Sequence, residues 1–238
     1  MILPCLSSSW SRAPRRKPGR PRPSDRQSGV KGTSVEPGGR LRRESLAWIE
    51  TALADALRLG KALIVFMHHG LVEHFPGQAD SFDEYLVEDY PEIGRMLAAY
   101  GARTAFTGHF HAQDAVLARF ADGSHLFDIM TGSLSTVPNI RFVTVEAGGS
   151  MIVRSEPITD LPSFAAAGHD FGAYAREFVR ERIAAIAVRE MRKMLVPARD
   201  AEALAPRIAD AFVANYRGDE RFTGDERLPT AGLSLMGR

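Results

Sequence analysis

The sequence predicts an α/β domain built on a mixed sheet and followed by a helical extension. Three observations carry this. Two short apolar runs, ALIVF (62–66) and RTAF (103–106), each follow a stretch of helical period, which gives a helix, strand, helix, strand order. Two pairs of strand-like segments then flank the turn signals ADGS and AGGS. From about residue 170 the pattern becomes helical and stays so.

The elements follow in order. Residues 1–43 are dense in Arg, Pro, Gly and Ser, with too little apolar surface to offset the entropy of ordering, and are expected to be disordered. ESLAWIETALADALRLG then places Leu46, Ile49, Leu53, Ala56 and Leu57 on one face, with Gly60 as a C-terminal stop. ALIVF is continuously apolar and partly β-branched, which suits a strand buried on both faces. Pro91 opens PEIGRMLAAY at the first turn of a helix that Gly101 closes, and RTAF is the next strand. AVLARF pairs with HLFDIM, and IRFVTVE with MIVRSE, as hairpins. FGAYAREFVRERIAAIAVREMRKML and AEALAPRIADAFVANY are helices expected to cap the domain. The predicted organisation is therefore a tail at 1–43, an α/β domain at 44–158 and a helical extension at 159–238.

The formal net charge of +1 conceals an asymmetry. Residues 1–43 hold 11 basic and 2 acidic groups, net +9, and the rest hold 19 and 27, net −8. The single cysteine, Cys5, excludes a disulfide framework within one chain, so a reducing, cytoplasmic setting is expected. No apolar run reaches the ~18 residues of a membrane span. Within the tail, KPGRPRP (Lys17 to Pro23) is similar to an AT-hook, whose Arg side chains favour the narrow minor groove. The match is a few residues of a low-complexity tract, and no nucleic-acid partner is expected from it.

Chemistry concentrates where the two apolar runs end. ALIVFMHHGL empties into a loop with His68 and His69, and TAFTGHFHAQD delivers His109 and His111. The carboxyl ends of buried strands are where α/β folds gather ligand-binding groups, and neutral imidazole suits Zn, Mn and Fe. Gly108 allows a sharp turn and close approach. Histidines two apart point to opposite sides of an extended chain, so His109 and His111 are able to address different metal centres. Asp114, three residues after His111, is a candidate to orient an imidazole, with a plain surface acid as the alternative. Glu73 and His74 receive no role, and His125 and His169 read as ordinary hairpin and loop residues.

VFMHHG and TGHFH, in this order and separation, resemble the last two signatures of the calcineurin-like metallophosphoesterases, a lone histidine after a strand and G-H-x-H. TGSL (131–134) resembles the end of such a domain more weakly. The resemblance covers about residues 44–155. It implies a partial four-layer αββα sandwich and two divalent cations drawn from Mn, Fe or Zn. The implied reaction is hydrolysis of a phosphomonoester or phosphodiester by a metal-bound hydroxide. Carried over by position, His68 and His109 bind one metal and His111 the other, with His69 the alternative to His68. The family's D-x-H, G-D-x-x-D and G-N-H-D/E blocks, which supply its carboxylates and the histidine that assists the leaving group, do not occur upstream of His68. No catalytic residue is therefore identifiable. The expectation is the second half of a two-metal site, with residues 1–43 not representing the native start. The alternatives are a metal-binding or protein-interaction paralogue without catalysis, and a DNA-associated protein acting through the tail.

Overall fold

Leu46, Ile49, Leu53 and Ala56 form the inward stripe of helix α1, Arg43–Arg58. Leu57, expected on that stripe, is 59% exposed, because only Leu53 and Ala56 lie close enough to the sheet to be buried. The computed structural model describes residues 38–134, 136–146, 150–218 and 234, and these described residues belong to one compact unit. The basic stretch Lys17 to Pro23 and Cys5 lie outside the described residues.

The remaining elements are β1 (Val65–Phe66), α2 (Gln78–Ser81), a 3₁₀ turn at Asp83–Tyr85, α3 (Tyr90–Ala99), β2 (Thr104–Thr107), β3 (Asp114–Arg119), β4 (His125–Met130), β5 (Asn139–Val145), β6 (Met151–Pro157), α4 (Pro162–Ala166), α5 (Phe171–Lys193) and α6 (Ala198–Arg217). The protein is thus mixed α/β. Strands β1, β2 and β4 run parallel, β3 pairs antiparallel with β4, and the sheet order is β1-β2-β4-β3. The β5–β6 hairpin forms its own two-stranded sheet. Among the described residues, no helix is long and apolar enough to cross a membrane.

One face of the sheet carries the core. Ala105 and Leu126 pack there with Leu53, Leu71, Val87, Ile93 and Leu97. The other face is open at the β1 edge, and here the expectation for ALIVF fails. Only Val65 and Phe66 form a strand, and Phe66 is 75% exposed. Apolar character on both sides of a run predicts burial only if both sides are covered. Among the described residues, what covers Phe66 is a stacked contact with Phe106, at a ring separation of 5.3 Å. Phe66→Ala is accordingly expected to cost about 1 kcal/mol in urea unfolding, against the 3–5 kcal/mol of a fully buried phenylalanine. A loss in the latter range means that this face is covered.

The C-terminal helices form a hairpin, as expected of a helical cap. Ala187, Met191, Ala201 and Ala205 fill their interface, small enough side chains for the two helices to approach closely. Helix α5 is capped by the Asp170 carboxylate, which accepts from the Ala173 N–H at 2.7 Å. The far end of α6 returns to the α/β domain, where Phe212 and Tyr216 join an aromatic cluster around Phe110.

Candidate functional site

The parallel pairing of β1 with β2 aligns Phe66 with Phe106, so the loops that follow emerge side by side. The Gly108 N–H donates to the His68 carbonyl at 3.1 Å, which joins the two histidine loops directly. His68 Nε2 and His109 Nδ1 lie 2.9 Å apart. The His69 ring is 4.5 Å from that of His109 and 5.2 Å from that of His68. The structure therefore brings His68, His69 and His109 together. His111 is exposed, and its carbonyl accepts from Thr136 Oγ1 at 3.1 Å in the loop that begins with TGSL.

The local backbone differs from the extended chain expected at GHFH. His109 and His111 have φ of 65° and 66°, in the left-handed region that costs a side-chain-bearing residue roughly 1–2 kcal/mol. The Phe110 N–H donates back to the Gly108 carbonyl at 2.7 Å, closing a γ-turn of the strained kind around His109. Gly108 itself is not at positive φ, so it is the histidines and not the glycine that make the turn. The compensation is Phe110, which is 3% exposed and packs edge-on against Tyr85 and Tyr216 at 4.9 and 5.4 Å. With that ring buried, His111 is left exposed while His109 stays half-buried beside Tyr85. Strain maintained in this way is a mark of functional loops.

Asp114 does not orient His111. Its carboxylate meets His74 Nδ1 at 2.8 Å, and His74 is buried. On its other side His74 Nε2 faces Asp128 Oδ1 at 3.6 Å, an ionic contact too long for a hydrogen bond. Burial alone pushes the His74 imidazole down, but the two carboxylates outweigh it and raise the group to about 9. Asp128, at 0% exposure, also accepts from the Leu71 and Val72 N–H groups at 2.7 and 3.1 Å and from the Thr107 hydroxyl. Glu73 caps the Ala79 N–H at 2.8 Å. His125 and His169 take no part in the site: His125 starts β4 opposite Arg119 and the His169 N–H donates to the Phe164 carbonyl.

Beside His68 opens a cleft of ≈ 670 Å³ with apolar walls from Phe66, Phe106 and Val143. Thr107, Thr131 and Arg141 supply its polar lining. Arg141 donates to the Asp114 carbonyl at 3.2 Å and to Ser155 Oγ at 3.1 Å, pinning the β5–β6 hairpin to the main sheet. Burial pulls its guanidinium down to about 10, so it remains cationic at neutral pH. On the opposite side the Tyr85 ring lies 4.9 Å from His109. Burial raises the Tyr85 phenol and pushes Tyr216 up to about 12, so both stay neutral.

The donor set bears on which ion fits. Two imidazole nitrogens bound tetrahedrally to one zinc lie about 3.3 Å apart. The His68–His109 separation of 2.9 Å is a hydrogen-bond distance, so the pair would have to open by a few tenths of an ångström to share one cation. Among the described residues no set of three or more His, Cys, Asp or Glu is arranged to hold an ion, and a carboxylate-bridged pair of cations does not fit these residues. No protein-family model matches the chain, and no curated protein matches it.

Proposed function

We propose that the protein is a metal-dependent phosphoesterase of the calcineurin-like type, and that residues 44–158 form the second half of an αββα sandwich. The observation that carries the reading is the meeting of His68 and His109, 2.9 Å apart, at the ends of adjacent parallel strands. His68 and His109 would hold one divalent cation, and no second position at His111 is part of this reading. When bound, such a cation polarises a phosphoryl oxygen and acidifies water at neutral pH. The chain's own residues supply the surroundings. Arg141 sets a positive charge in the cleft beside His68, suited to a phosphate ester, and Phe66, Phe106 and Val143 exclude water around its organic part.

The test is metal content and hydrolysis together. After loading with Mn or Zn and desalting, His109→Ala is expected to lose bound metal in elemental analysis; unchanged stoichiometry overturns the ligand assignment. The loaded wild-type chain is assayed on p-nitrophenyl phosphate and bis(p-nitrophenyl) phosphate. A second reading, a metal-binding or protein-interaction module without catalysis, draws on the imidazole-only donor set, and metal uptake without hydrolysis favours it.

The choice between His68 and His69 has its own test. A Cβ on Gly39 would lie 2.5 Å from the His69 ring, so Gly39→Ala displaces either that ring or the chain beside it. With His68 as ligand, Gly39→Ala retains its metal. A loss equal to that of His109→Ala assigns the role to His69.

A further inference from the structure

The two histidine loops leave different strands, and an imidazole pair that binds one cation needs its spacing held to a fraction of an ångström. Little within either loop does this: both GHFH histidines sit on strained backbone, and the His68 loop follows a strand of two residues. The side chain that reaches both loops is Asp128, from the middle of β4. One carboxylate oxygen accepts the Leu71 and Val72 N–H groups, two and three residues beyond His69. The other accepts the hydroxyl of Thr107, two residues before His109. Both anchor points lie within four residues of the histidine they serve.

A carboxylate with no exposure is costly unless it is fully paired, and it is retained where its geometry matters. Here its acceptor capacity is used by three donors, two from one loop and one from the other, and the His74 imidazole faces it with Asp114 behind. His74 also ties the first loop to itself, through its N–H to Gln78 Oε1 at 2.7 Å. The arrangement is a clamp, with the acid at the centre and the loops on either side.

We infer that Asp128 is the positioning residue of the histidine site: it sets the His68–His109 spacing by holding both loops to one carboxylate, with His74 and Asp114 fixing that carboxylate in place. The metal-binding consequence rests on the phosphoesterase reading, whereas the clamp does not. Asp128→Asn keeps the shape, and the amide oxygen keeps accepting from Leu71 and Val72. It loses the charge that faces His74, and its amide N–H₂ forces the Thr107 hydroxyl to reverse. Thr107→Val removes only the link to the second loop.

The experiment records long-range ¹H–¹⁵N spectra of the histidine rings in the metal-free full chain, then cobalt(II) titrations of the same samples. Asp128→Asn and Thr107→Val are expected to shift or broaden the His68 and His109 ring signals and to weaken cobalt(II) affinity 10–100-fold. Met191→Ala, in the separate core between α5 and α6, serves as the control for lost stability and leaves both readouts unchanged. If Asp128→Asn does not fold, Thr107→Val carries the test. Folded variants with wild-type ring signals overturn the clamp whatever the metal does. Wild-type protein that takes up no cobalt(II) while the ring signals still respond supports the clamp and overturns the metal reading instead.

Discussion

Replacing His74 by leucine is expected to lower the free energy of unfolding by about 3–5 kcal/mol, the cost of breaking a buried ion pair from one side. Leucine fills much of the space, so lost packing is not the source. The source is that Asp114 and Asp128 are left facing each other across an apolar side chain, with the cation between them gone. Asp128 keeps its three donors at a site with no exposure but loses the imidazole that faced it. Urea unfolding at pH 6 measures the effect, and a loss below about 1 kcal/mol means that His74 is not charged in the folded protein.

The same imidazole makes the fold sensitive to alkali. Its folded value, about 9, lies above its ordinary 6.5, so the folded state binds the proton more tightly than the unfolded chain does. The resulting stability is fully present below pH 6.5 and is lost as pH rises through 9. Its size is on the order of 3 kcal/mol, from 1.36 kcal/mol per unit. The groups that face the imidazole are Asp114 and Asp128, with the Gln78 amide accepting from its backbone N–H. Stability measured across pH 6 to 9.5 is expected to fall for the wild type and to stay nearly level for His74→Leu. Parallel profiles for the two proteins contradict the assignment.

What the sequence made legible follows local rules. Both hairpins, the helix opened by Pro91 and the two C-terminal helices need only short-range pattern and turn chemistry, and they stand where that pattern puts them. The pairing of His68 with His109 was legible only through the family resemblance, because two apolar runs ending in histidine put each histidine at a strand end without saying that the strands are neighbours. Burial of ALIVF was not, since a run of apolar residues does not say whether both faces find partners, and Phe66 finds one ring. The backbone at His109 and His111 is not legible in the spacing, which suits an extended chain, because the left-handed φ of both residues goes with the burial of Phe110 between them.

The clamp was missed although a signal for it was present. HLFDIM carries one acid inside an otherwise apolar strand, and such an acid must have a partner or cost several kcal/mol. The partner, His74, lies 54 residues away in a stretch, VEHFPG, that has no period of its own. Only the register of β3 against β4, which sets Asp114 against Met130 and Val116 against Asp128, brings both carboxylates to one face of the sheet, where the ring lies between them. Long-range pairing of this kind depends on tertiary register, which short-range pattern does not contain.

That His68 and His109 share a cation is our proposal. X-ray absorption at the metal edge of the zinc- or cobalt-loaded chain reads this directly, because imidazole gives a multiple-scattering pattern that water and carboxylate do not. Two imidazoles are expected around the ion in the wild type, and fewer in His68→Ala and His109→Ala. A first shell of water and carboxylate oxygen alone, unchanged in both variants, contradicts it.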